Sequence, residues 1–82
     1  MADALKQEID RNFDFFRRNL GKLLVAHRDA FVLLRHAKVV DFFNTPGEAY
    51  RAGLSKFADE EFSVQRISDE PVELGHMSFA VD

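Results

Sequence analysis

The chain has 82 residues, a formal net charge of −3 and no cysteine. This length allows one domain with a core that is only just large enough, and the lack of cysteine excludes a disulfide scaffold, thiol catalysis and cysteine-based zinc sites. Acidic and basic residues are mixed along the chain, which argues against the concentrated basic face of a nucleic-acid-binding protein.

The sequence shows no targeting or membrane-spanning segment. Residues 1–4 do not form a basic region followed by a long apolar run, as a signal peptide would. The apolar run Phe31–Leu34 is far too short to cross a bilayer. Because the absence of cysteine also fits a reducing compartment, we expect a cytoplasmic protein.

Residues 3–27 predict one long amphipathic helix, with Asp3 as its N-cap and at most a bend at Gly21. Such a helix would be roughly 35 Å long. Its apolar stripe covers about a third of the helix circumference and keeps its phase across Gly21. The stripe consists of Leu5, Ile9, Phe13, Phe16, Leu20, Leu23, Leu24 and His27.

A hairpin and a second helix follow. Residues 31–35 and 39–43 are rich in apolar and β-branched residues and predict two strands, joined by a short turn at residues 36–38. Thr45, Pro46 and Glu48 predict a capping box with proline at the first helical position. The second helix should run from Pro46 to Phe57, and Gly53 within it suggests a close approach to the sheet.

A third strand is predicted at Phe62–Ile67, and residues 68–82 form a tail that could add a short fourth strand. The predicted fold is a single α+β domain over residues 1–82, in which residues 31–67 form a β-β-α-β module. A right-handed crossover through the second helix makes strand three parallel to strand two and gives the strand order 2-1-3. Both helices are expected on one face of this small antiparallel or mixed sheet.

Five segments carry a residue order that resembles a known family, namely Phe13–Phe16, Phe31–Leu34, Val39–Phe43, Thr45–Ala49 and Phe62–Gln65. The family consists of short prokaryotic proteins of unknown function, some of them encoded beside retropepsin-like aspartic proteases. The resemblance covers about residues 13–74 and implies this fold and a prokaryotic origin. It implies no catalytic residues, and Asp29 and Ala30 stand where the family usually has a glycine.

No arrangement of residues predicts catalysis. His27, His36 and His76 lack the spacing that directs two ligands at one metal, so we expect no metal or cofactor. Asp41 lies within an apolar strand, but the sequence places no second acid beside it. We expect Asp41 to face solvent or to pair with Arg35 across the hairpin. The serines and glycines match no nucleophile or phosphate motif, so the sequence predicts neither an enzyme nor a small-molecule site.

The apolar stripe gives the functional prediction. A three-stranded sheet is only about 14 Å wide, so the segment from Leu5 to Phe16 should extend beyond what the domain covers. We therefore predict a non-catalytic protein-interaction domain that forms a homodimer, with helix one antiparallel to its mate, or binds another protein. The predicted contact residues are Leu5, Ile9, Phe13, Phe16 and Phe15.

An alternative is binding of nucleic acid or an acidic partner through a basic and aromatic row on helix one. The row consists of Arg11, Phe15, Arg18 and Lys22. Against this alternative, Asp14 can pair with Arg18 and Glu8 with Arg11 along the helix. The pairing favours a solvated charged face, although it leaves Phe15 without an explanation.

Overall fold

The computed structural model describes residues 2–69, and describes side chains from residue 4 onward. It confirms the α+β fold, with three helices and a three-stranded sheet in the described residues. The predicted tail strand lies outside these residues. The first helix begins at Ala2, so the prediction of Asp3 as its N-cap is wrong. The elements in chain order are α1 (Ala2–Arg18), α2 (Leu20–His27), β1 (Phe31–Arg35), β2 (Lys38–Phe43), α3 (Pro46–Lys56) and β3 (Ser63–Arg66).

The sheet has the predicted strand order, β2-β1-β3. Strand β1 is antiparallel to both neighbours, so β2 and β3 are parallel to each other, as expected from the crossover. Leu33 lies opposite Asp41 whereas Leu34 lies opposite Val39, so Val40 forms a bulge in the edge strand β2.

The helices cover both faces of the sheet, and the prediction that they share one face is wrong. One core cluster contains Phe16, Leu23, Val32, Leu34 and Ile67. The other contains Leu33, Ala49, Phe62 and Val64. Alternate residues of β1 therefore contact α1 and α2 on one side and α3 on the other. The physical reason is that β1 is apolar on both faces and must be covered on both.

The predicted long helix is two helices, and the break is at Asn19 rather than at Gly21. The Asn19 side-chain amide donates to the Phe15 carbonyl at 2.8 Å, and its backbone has φ −110° and ψ 10°. An asparagine that bonds a nearby carbonyl in this way competes with the helical hydrogen bonds. The carbonyl of Asn19 then accepts from the Leu23 N–H at 3.1 Å, which starts α2.

The start of α3 is as predicted, but of the predicted capping box only the Thr45 half forms among the described residues. The Thr45 hydroxyl accepts a hydrogen bond from the Glu48 N–H at 3.2 Å, and Pro46 occupies the first turn. The helix ends at Lys56, one residue before the predicted end. The predicted close approach at Gly53 is confirmed, because a Cβ there would lie 2.5 Å from the ring of Phe62, just before β3.

Within residues 2–69, no helix has the length and apolar character to cross a bilayer.

Candidate functional site

Helix α1 does not face the sheet with the middle of its apolar stripe. The helix buries three side chains that are spaced four residues apart. They are Glu8, Asn12 and Phe16, which are 2%, 0% and 0% exposed. Such spacing places side chains above one another on one face of a helix. Two polar residues thus occupy the buried row, and Ile9 and Phe13 lie beside it, half-buried. Sequence reasoning missed Glu8 and Asn12 because the stripe was defined by apolar residues alone.

The turn between β1 and β2 has an unusual backbone. His36 and Ala37 have φ values of 54° and 59°. Both therefore lie in the left-handed region that two-residue hairpin turns of type I′ require, and that asparagine and glycine favour. Placing other residues there costs about 1–2 kcal/mol each. The structure must therefore stabilise this turn from elsewhere.

That stabilisation comes from α1. The Glu8 carboxylate accepts the His36 backbone N–H through Oε2 at 2.7 Å, and Asn12 Oδ1 accepts the Ala37 N–H at 2.7 Å. Asn12 Nδ2 also donates to Glu8 Oε2 at 3.1 Å and to the Leu34 carbonyl at 3.3 Å. We call Glu8, Asn12, His36 and Ala37 the turn clamp. It satisfies the two N–H groups of the turn and fixes α1 against the hairpin.

The clamp holds Glu8 in its ionised form. Burial alone would raise the pKa of Glu8, but hydrogen bonds from the His36 backbone, the His36 ring and Asn12 outweigh it and hold this pKa below its ordinary value. His36 Nδ1 lies 2.9 Å from Glu8 Oε1. Glu8 is thus a buried carboxylate whose charge is compensated mainly by N–H groups.

Beside the clamp, the side chain of Arg35 extends from β1 to the loop before β3. Its guanidinium forms two hydrogen bonds to Asp59, at 2.7 and 3.0 Å, and donates to the Glu61 carbonyl at 3.0 Å. It also lies 4.3 Å from the centroid of the Phe57 ring. Hydrogen bonding to Arg35 lowers the pKa of Asp59 to about 2.

The predicted alternative of an Arg35–Asp41 pair is wrong. Asp41 is exposed, and its carboxylate accepts a hydrogen bond from the Phe42 N–H at 2.7 Å.

These pKa shifts predict loss of stability in acid. Glu8 and Asp59 have folded-state pKa values below their ordinary 4.5 and 3.8, so the folded state binds fewer protons than the unfolded chain. Their contribution is therefore full above about pH 5 and is lost as pH falls through the lowered values towards 2. Urea titrations between pH 7 and pH 2 should show this decrease, and Glu8→Gln should make it shallower. A free energy of unfolding that stays constant down to pH 2 would contradict the prediction.

His27 lies in a separate cleft. Its ring stacks on Phe42 with centroids 3.7 Å apart and planes at 10°. The ring borders an open cleft of about 440 Å³, whose lining residues are His27, Ala30, Phe42, Phe43, Asn44 and Glu48. Asp41 is not part of this lining, so the cleft does not join it to a histidine as an acid–base site would need. His76 lies outside the described residues.

The predicted contact residues divide into three groups. Leu5 and Ile9 are half-buried, and neither core cluster includes them in the part of the chain that is described. Phe13 and Phe15 are half-buried against the first cluster. Phe16 is completely buried in that cluster, so its assignment to a contact surface is corrected to the core.

The basic row is largely paired within α1, as expected. Arg18 lies 2.8 Å from Asp14, and Arg11 lies 3.8 Å from Glu8. Phe15, which the sequence left unexplained, packs against the first core cluster. The row therefore lacks the free aromatic ring on which a nucleic-acid base would stack.

Comparison with protein-family models gives no matching family, and no curated protein or solved structure matches the chain. The resemblance noted for residues 13–74 stays a prediction.

Proposed function

We propose that the protein is a non-catalytic, cytoplasmic homodimerisation domain that associates through one side of α1. This α1 flank consists of Leu5, Ile9 and Phe13, which are spaced four residues apart beside the buried row. The observation that carries the proposal is the position of Leu5 and Ile9. Both are apolar and half-exposed, and neither belongs to a core cluster among the described residues.

The charges along the first two helices favour a second copy as the occupant. Residues 2–10 carry three acidic side chains, of which Glu8 is buried in the turn clamp, and one basic one, whereas residues 11–22 carry four basic and one acidic. An antiparallel arrangement about a twofold axis sets the acidic half of one copy against the basic half of the other. Like charges would meet in a parallel arrangement, so the pattern also selects the direction of packing.

The proposal predicts the mass of the particle in solution. Light scattering on the wild-type chain should give twice the monomer mass of 9.4 kDa. Ile9→Asp should give the monomer, because dimerisation would then bury one unpaired carboxylate from each copy at the centre of the interface. The variant should keep its circular dichroism spectrum, since Ile9 is not part of either described core cluster.

The matched control is Val25→Asp, which introduces the same charge at a side chain on α2 that is 90% exposed. This variant should remain dimeric. A monomeric wild-type chain would overturn the proposal. A folded Ile9→Asp variant that stays dimeric would place the interface away from α1.

A further inference from the structure

Three side chains of the types that ligate metals converge at the turn clamp from separate segments. Glu8 comes from α1, His36 from the hairpin turn and Glu61 from the loop before β3. One ligand atom from each lies within 4.8 Å of the other two. An imidazole nitrogen and two carboxylate oxygens form a mixed donor set, in contrast to a patch of acidic residues alone.

The two oxygens of Glu8 have different surroundings. Oε2 accepts two N–H groups, from His36 and Asn12, at 2.7 and 3.1 Å. Oε1 instead faces the His36 ring, 2.9 Å from Nδ1. Metal-binding carboxylates are commonly oriented in this way, with one oxygen held by outer hydrogen bonds and the other directed at the ion.

Glu61 supplies the third donor. Its carboxylate lies within 4.8 Å of the ligand atoms of Glu8 and His36, and it also acts electrostatically on Arg35. Donors bound at about 2.0–2.2 Å in a tetrahedral site lie roughly 3.3–3.6 Å apart. Because Glu61 is only half-buried, a rotation of its side chain can bring its carboxylate from within 4.8 Å to this spacing.

We propose that Glu8, His36 and Glu61 form an open, three-ligand site for a divalent first-row transition-metal ion such as Zn²⁺. The imidazole favours such ions over Mg²⁺ and Ca²⁺, which prefer oxygen ligands alone. The ion binds a neutral imidazole nitrogen, so the His36 ring carries its proton on Nε2 when Nδ1 faces the ion. The ion also replaces the guanidinium of Arg11, which is 3.8 Å from Glu8 Oε1 and whose side chain is 56% exposed.

The test uses the full chain, with Zn²⁺ as the probe. Calorimetric titration should show one ion per chain, and free Zn²⁺ at ten times the Kd should raise the Tm by roughly 5–10 °C. Mg²⁺ should have no such effect. The absence of a Zn²⁺-dependent rise in Tm would overturn the proposal, and so would an equal rise with Mg²⁺.

Variants assign the ligands. Glu61→Gln and His36→Asn should each weaken Zn²⁺ binding at least tenfold, and asparagine keeps the left-handed backbone that position 36 requires. The matched controls His27→Asn and Asp41→Asn remove the same donor types elsewhere and should bind Zn²⁺ as the wild type does. Arg11→Gln should tighten binding, because it removes the competing cation. Unchanged affinity in Glu61→Gln and His36→Asn, with both variants folded by circular dichroism, would overturn the assignment.

Discussion

Glu8→Ala is expected to reduce the free energy of unfolding by about 3–5 kcal/mol, more than any other single truncation on the polar side of α1. The substitution leaves the His36 N–H without its acceptor and removes one of the two acceptors of the Asn12 amide, in a site where Glu8 itself is 2% exposed. It also removes the support for a turn whose two central residues have positive φ. Because a domain of this size is stable by only a few kcal/mol, much of the population should unfold at room temperature. Urea unfolding followed by circular dichroism measures the loss.

Asp10→Ala is the matched control, since Asp10 is an acidic residue of the same helix with a basic partner. Its carboxylate lies 3.2 Å from Lys6 Nζ, and both side chains are more than half exposed. An exposed pair of this kind contributes at most about 1 kcal/mol. If Glu8→Ala and Asp10→Ala destabilise the protein equally, the turn clamp does not stabilise the hairpin.

The parts of the fold that could be predicted are those where local pattern and tertiary packing agree. The Thr45–Glu48 cap specifies the start of α3 through a hydrogen bond that is local in sequence. The apolar residues of β1 and β2 predict the hairpin, and the right-handed crossover predicts the strand order. The prediction places α3 on the wrong face of the sheet, because residues on both faces of β1 are apolar and each face needs its own covering helix.

The turn clamp could not be predicted from the same reasoning. Glu8 and Asn12 belong to the buried row of α1, but a period of apolar residues assigns polar side chains to the solvent side. Their partners are backbone N–H groups of the turn, more than twenty positions away in the chain. A hydrophobicity pattern does not indicate hydrogen bonds of this kind. The break at Asn19 was missed for a related reason, because it depends on one side-chain hydrogen bond.

The second large effect is expected for Gly53→Ala, which should destabilise the protein by about 2–3 kcal/mol. Helix propensity alone predicts the opposite sign, since alanine is favoured over glycine inside a helix by up to about 1 kcal/mol. The added methyl group would lie 2.5–2.7 Å from three carbons of the Phe62 ring. That ring is completely buried and contacts Tyr50 and Phe57, with centroids 5.9 and 6.3 Å away. It can move only by displacing the second core cluster.

Gly21→Ala provides the comparison that separates propensity from packing. Gly21 lies in α2, and a Cβ there would meet nothing within 4 Å, so only the propensity term applies. The substitution should therefore stabilise the protein by about 0.5–1 kcal/mol. Urea unfolding of both variants against the wild type should give changes of opposite sign. Stabilisation by both substitutions would mean that the Phe62 ring yields to the added methyl group, and that α3 does not need glycine to approach the sheet.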